Sequence, residues 1–413
     1  MTSYNRIARC RVCGNPDLVR VLDLGEQMLT GVFPATRDAD VTRGPLRLVK
    51  CVGPDHCGLL QLEHSYSLGE MYGDNYGYRS GLNASMVAHL ETNVERIRGL
   101  VDLRPGDLVV DIGANDGTTL GHYPQEAGLH LVGVDPTGSK FHQYYKPGVQ
   151  LIPDFFSANL VEARFPSRRA RVVTSFSMFY DLEAPLDFMR QVHRILADDG
   201  VWVFEQSYMP MMLATNSYDT VCHEHLEFYA LKQIQWMAAR VGFRIVDVEF
   251  NTVNGGSFSV TVAKSTDPMP TLEVAEILDR ETADGLDTLD PFHAFAERVA
   301  ASKEALLAFL DRAHREGRMV AALGASTKGN VLLQYCGIGP DRVVCVGEVN
   351  PEKYGRLTPG SFLPIVPEAE LLARRPDYLI VLPWHFRAFF EASPAFRETR
   401  LVFPLPTLVG ADG

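Results

Sequence analysis

Long apolar runs are missing from this chain of 413 residues. No stretch reaches the ~18 uninterrupted apolar residues that span a bilayer, and the N-terminus, MTSYNRIARCRVCG, lacks the apolar core of a leader. A soluble, unexported, cytoplasmic protein is expected, with no membrane partner. Positive charge is also in deficit. With 39 Lys and Arg against 51 Asp and Glu, the formal charge of -12 has the wrong sign for coating polyphosphate, so nucleic acid is not an expected partner. Cysteine is scarce and odd in number, seven in all with four in the first 57 residues, which argues against a disulfide framework and for a reducing compartment. Short-period repeats and low-complexity tracts are absent too.

What remains is an ordinary globular composition, 46% hydrophobic and 22% charged, long enough for two or three folded units. Residues 1–80 are rich in turns and cysteine, with apolar runs short enough for strands, and read as a small zinc-binding domain. Apolar residues at Met86, Val87, Leu90, Val94, Ile97 and Leu100 follow a helical period that Pro105-Gly106 ends. Strand and helix signals then alternate through LVVDIG, LHLVGVD, VQLIP, ARVVTSF and GVWVFEQ, and two strands flank Asn254-Gly255-Gly256. Residues 81–265 therefore predict a Rossmann-like domain with a mainly parallel sheet. Residues 266–318 predict a helical bridge, with an amphipathic helix from Pro291 to Arg318. Residues 319–413 predict a second Rossmann-like unit, making the fold class α/β.

Four places carry chemistry. Cys10 and Cys13 form a knuckle-type pair, and Cys51 with Cys57 makes a looser second pair; together they suit a tetrahedral structural Zn²⁺, with His56 or His64 open as a substitute ligand. Asp111, Gly113, Asn115 and Asp116 lie in a loop between a strand and a helix. Asp135 ends the next strand, where it can meet ribose hydroxyls, and Asp154-Phe155 and Phe176 follow the third and fourth strands. The loop departs from GxGxxG, which points to S-adenosylmethionine (SAM) rather than a dinucleotide. In Cys222-His223-Glu224-His225 the pattern is not HExxH, and an imidazole beside a carboxylate reads as a general base or as a packing cluster. Ser326, Lys328 and Asn330, in GASTKGN, follow a strand without the P-loop order. They suit the phosphate of a substrate better than an NTP, and His385 in LPWHFR sits at an equivalent edge.

In order, CRVCG, CGLLQL, Tyr76-Gly77-Tyr78-Arg79-Ser80, DIGANDG, CHEHLEFY, NGGS, GASTKGN and LPWHFR resemble the three-domain sugar C-methyltransferases of deoxysugar biosynthesis, over nearly the whole chain. The resemblance implies structural zinc in the first domain, SAM in the second, and the nucleotide of a keto-sugar held with help from the third. It implies His225 as the base that removes a proton next to a ketone, with Glu224 in support, Tyr76 or Tyr78 near the sugar, and Tyr76 or His223 available to the enolate oxygen. Many relatives have Tyr where Cys222 stands and His where Asp181 stands, so both positions are expected to touch an altered acceptor. Carbon 3 beside a carbon-4 ketone is the methylation site the resemblance implies first, with carbon 5 or a non-sugar β-dicarbonyl carbon left open. Competing readings are an O- or N-methyltransferase on a small metabolite, and a zinc-containing binding protein without activity. Nothing in the sequence indicates the oligomeric state.

Overall fold

The structure, a computed structural model, describes residues 4–72, 78–265 and 269–411. In the first unit, strands Leu18–Met28 and Arg43–Cys51 pair antiparallel, and Leu60–Leu62 adds to the second of them. This short strand is buried throughout and needs a partner on its outer edge. Its partner is Glu227–Phe228, two residues past the HEH segment, with Glu227 opposite Gln61. The unit expected to end at residue 80 thus completes its sheet with a strand from the middle of the chain.

Seven strands form the central sheet: β1 (Leu108–Ile112), β2 (His130–Val134), β3 (Val149–Ile152), β4 (Ala170–Phe176), β5 (Leu196–Ser207), β6 (Phe243–Asn251) and β7 (Ser257–Lys264). Their order is β6-β7-β5-β4-β1-β2-β3, and β7 alone runs against the others, pairing antiparallel with both β5 and β6, as the Asn254-Gly255-Gly256 turn predicts for the β6–β7 pair. The five residues of β1 are all buried, as expected for a strand covered on both faces. Asn83 caps the helix Ala84–Leu100, accepting from Ser85 N, and the helix buries Leu90, Val94 and Ile97. Leu100, which fits the apolar period, is exposed instead.

The bridge contains two helices, Leu272–Ala283 and Asp290–Arg315, and the second buries Phe292, Phe295, Val299, Leu306 and Leu310. Glu281 anchors the first to the central unit by accepting from Leu231 N, Lys232 N and Tyr208 Oη, two of these at the start of helix Leu231–Val241. A carboxylate there also meets the positive end of the helix dipole. Five parallel strands follow: β8 (Val320–Leu323), β9 (Val346–Glu348), β10 (Ile365–Pro367), β11 (Tyr378–Val381) and β12 (Arg400–Val402), in the order β10-β9-β8-β11-β12. The first and third units touch directly. Gln334 on helix Thr327–Cys336 accepts from Met28 N at 2.8 Å and donates to Met28 O at 3.1 Å. Among the described residues no helix is long and apolar enough to cross a membrane.

Candidate active site and metal centre

The Cys10–Cys13 segment closes as a knuckle: Gly14 N donates to Cys10 O at 2.9 Å, and Gly14 takes φ +73°. Cys51 ends its strand, and Cys57 follows in the loop before the next. The four Sγ atoms lie within 4.8 Å of one another, with Cys10 to Cys57 at 3.5 Å and Cys13 to Cys51 at 3.6 Å. A tetrahedral thiolate site with Zn–S near 2.3 Å spaces its sulfurs by about 3.8 Å, whereas a disulfide requires about 2.05 Å. The donor set fits zinc. Asn15 Nδ2 supports it by donating to Cys51 Sγ at 3.3 Å. Neither His56 nor His64 belongs to the cluster.

A cavity of about 790 Å³ opens at the carboxyl edges of the central and third sheets. Asp111, Gly113 and Asn115 line one end. Gly113 takes φ +77°, and a Cβ there would come within 2.9 Å of Met178, so the turn requires glycine. Asp111 lies beneath the loop and accepts from Thr174 Oγ1 at 2.6 Å; burial pushes its carboxyl up to about 7. Asp135 lines the cavity while bracing the loop, accepting from Asn115 N at 2.8 Å and Thr137 N at 2.6 Å. Phe155 lines the same end with its ring half exposed, beside Phe156, Phe176 and Met178. An uncovered aromatic face and an acidic strand end fit an adenosine-bearing cofactor.

Two expected cofactor residues lie elsewhere. Asp154 is exposed and accepts from the next backbone amide, Phe155 N, at 2.7 Å, a local turn that keeps it off the cavity wall. Asp116 is buried off the cavity, accepting from Gly81 N at 2.9 Å, because its side chain clamps the chain entering helix Ala84–Leu100. Asn115 helps that clamp, accepting from Ser80 N and donating to Tyr78 O. Tyr78 itself is half exposed and lines the cavity; Tyr76 lies outside the described residues.

At the other end, Asp181, Cys222, Glu224 and His225 line the wall. His225 Nδ1 lies 2.9 Å from Thr220 O. A carbonyl can only accept, so Nδ1 carries the proton and Nε2 presents its lone pair. The ring stands edge-on to Tyr180 at 4.4 Å; burial and then the Lys328 charge lower its pKa to about 4, leaving it neutral and able to take a proton. Glu224 Oε2 accepts from Thr30 Oγ1 at 3.5 Å, and burial raises its carboxyl. A Cβ on Gly31 would collide with that carboxylate, so glycine here lets Glu224 keep its present position. His223 does not line the cavity. Alternation along the segment turns it inward, where Nδ1 meets Thr30 Oγ1 at 3.4 Å and the ring packs on Tyr66 at 4.6 Å, so it is no candidate for the enolate oxygen.

From the third unit come Ser326, Lys328 and His385. Ser326 Oγ caps its helix by accepting from Gly329 N at 3.1 Å. Lys328 is partly buried; its Nζ donates to Asn254 O at 2.8 Å, and its charge acts on His225, Asp219 and His385. His385 Nδ1 is buried without a hydrogen-bond partner among the described residues, and burial lowers the ring to about 3. Asn330 is not a cavity residue. Its Nδ2 donates to Thr30 O at 2.7 Å, joining the third unit to the first, because the fourth residue of the helix faces away from the cavity. Phe156 lines the site next to Phe155 in the segment expected to stack an adenine ring, and Tyr72, Met178 and Tyr180 also line it, although no motif marks them.

The "Putative zinc binding domain" family matches residues 10–72, the "Methyltransferase domain" family residues 84–248, and the "C-methyltransferase C-terminal domain" family residues 252–406. The chain is 30% identical over 408 residues to the C-methyltransferase NovU of Streptomyces niveus, covering 97% of this chain and 96% of that protein. Solved structures with lesser likeness include the CcbJ methyltransferase from Streptomyces caelestis (13% identity, 43% of this chain, 90% of that chain, TM-score 0.34). Another is the plantazolicin methyltransferase BpumL with S-adenosylhomocysteine (11% identity, 43% of this chain, 82% of that chain, TM-score 0.34). The chain belongs to the SAM-dependent C-methyltransferases that carry an N-terminal zinc module.

Proposed function

We propose that the enzyme methylates a carbon next to a ketone on a nucleotide-linked deoxysugar, with carbon 3 beside a carbon-4 ketone as the reacting position. One observation carries this reading: His225 is fixed through Nδ1 by Thr220 O, leaving Nε2 as a free base on the wall of a cavity shared by two Rossmann-like units. A ketone acidifies the adjacent C–H enough for such a base to remove it. SAM, when bound, supplies an electrophilic methyl group on a sulfonium. Asp111, Gly113, Asn115, Asp135, Phe155 and Phe176 would hold it.

The chain's own groups do the rest. Thr220 O keeps the Nδ1 proton as the ring becomes imidazolium, Tyr180 fixes the ring plane, and Glu224 lines the wall beside it. Tyr78 and Cys222, with Tyr76 outside the described residues, are proposed to face the sugar. Helix Thr327–Cys336 directs its N-terminus, through Ser326 and Thr327, at the cavity, which suits a phosphate of the nucleotide handle.

Without SAM, in deuterium oxide, the enzyme should exchange the α-hydrogen of a thymidine diphosphate-linked 4-keto-6-deoxyhexose. His225→Asn should lower exchange and turnover by about 10²–10⁴-fold, while calorimetric SAM affinity stays near wild type. Methyl transfer to oxygen or nitrogen without exchange, or wild-type exchange in the variant, would overturn the reading.

A further inference from the structure

The cavity holds a second group whose role follows from its surroundings, given the enolisation reading above. Asp181 closes the turn Phe179–Asp181 after β4. Leu226 N donates to Tyr180 O at 2.8 Å, and the Tyr180 ring meets that of His225, so Asp181 and the base hang from two segments pinned together. Both line the cavity. Asp181 Oδ2 accepts from Tyr72 Oη at 2.8 Å, whereas Oδ1 is buried and has no hydrogen-bond partner among the described residues.

Among the described residues, the titratable groups facing Asp181 are Tyr72, Glu224, Cys222 and Glu227, and none of them is a cation. The arginine nearby, Arg11, bonds Glu183 and lies 3.9 Å from Glu227. An unpaired buried carboxylate is costly, and a second carboxylate beside it raises the cost. A carboxylic acid avoids both penalties and gains an O–H to donate.

We propose that Asp181, held by Tyr72, turns its protonated carboxyl to the carbonyl oxygen of the acceptor and donates the hydrogen bond that stabilises this oxygen as the enolate forms. When His225 Nε2 takes the α-proton, the C–H electron pair becomes the new C=C π bond and the carbonyl π pair moves onto oxygen, where the Asp181 O–H meets it. Asp181 keeps its proton when the ketone re-forms, so only the α-proton leaves, passing from the imidazole to solvent. Base and acid are pushed in opposite directions, His225 down to about 4 and Asp181 well up by burial and then Glu224, as an acid–base pair working at one pH requires. The site thereby selects an acceptor with an uncharged carbonyl oxygen at this position.

The test is α-hydrogen exchange of the same thymidine diphosphate-linked ketone in deuterium oxide, from neutral to alkaline pH, with SAM calorimetry as the check on folding. Asp181→Ala should lower exchange by about 10²–10³-fold, the cost of one oxyanion donor. Asp181→Asn keeps a neutral donor; it should retain most of the rate and lose the alkaline fall that deprotonation of Asp181 gives the wild type. Equal losses in the two variants, a wild-type rate in Asp181→Ala, or an alkaline fall that survives in Asp181→Asn would overturn the proposal. Should Asp181→Ala fail to bind SAM, the Asp181→Asn profile decides. Wild-type enzyme that exchanges nothing would sink the enolisation reading itself, an outcome distinct from any of these.

Discussion

Residues 111–117 and 324–330 each leave the carboxyl end of a buried parallel strand, turn on a glycine at positive φ (Gly113 at +77° and Gly324 at +83°), and enter a helix. They part at the helix. After the first loop it is a single turn, Thr118–Gly121, and the polar side chains Asn115 and Asp116 turn back to grip residues 78–81. After the second it runs ten residues under a serine cap, and Lys328 and Asn330 reach into the other two units. The same local pattern thus yields a cavity wall, the proposed seat of the cofactor, in one place and an interdomain clasp in the other, because a strand-glycine-helix sequence specifies a backbone turn and nothing about what presses against it.

The comparison predicts a division of labour. Asp135→Ala, on the first loop's side, should weaken SAM binding by about 10–100-fold, the cost of losing hydrogen bonds to a charged group, with little change in acceptor KM. Lys328→Met should do the reverse, lowering kcat/KM for the nucleotide-linked ketone by a similar factor at unchanged SAM affinity. Calorimetry and steady-state kinetics on both variants would break the comparison if each altered the other's ligand. Asn330→Ala should cost about 1–3 kcal/mol in urea unfolding by leaving Thr30 O unpaired, with SAM affinity unchanged.

A further effect concerns acid. Burial holds His223 and His385 near 3 and His225 near 4, below the ordinary 6.5, so between those values the unfolded chain binds protons that the folded chain refuses. The contribution of these three histidines should therefore slope downward as pH drops from about 6.5 toward 4, opposed by the raised buried carboxyls of Asp111, Asp181 and Glu224, which favour the folded chain as they protonate. His223→Gln should flatten this slope in thermal melts, and an unchanged slope would remove His223 from the account.

The sequence is legible where chemistry and backbone coincide. Alternating apolar strands announced both parallel sheets, four cysteines announced the metal cluster, and HEH announced an imidazole on the cavity wall. Side-chain direction is less legible. Asn330 and Asp116 share motifs with cavity residues yet face away, since adjacent helix and loop positions point to different sides. Tyr72 and Thr30 stand in no motif, because their importance arises from partners more than 100 residues distant. The strand Glu227–Phe228 was hidden for the same reason: two residues show no periodicity, and only the exposed edge of another sheet calls them into pairing.

Thr30 is the point where all three units converge: its hydroxyl meets His223 and Glu224, and its carbonyl receives Asn330 from 300 positions further on. A nascent chain emerging from the ribosome must therefore keep its zinc-knit first sheet waiting until the third module is synthesised before the catalytic wall can set. Contacts of such high sequence separation form late. Catalytic competence is in this way tied to the completeness of the polypeptide, and a product cut short before residue 330 would carry every chemical group of the HEH segment without the junction that seats it.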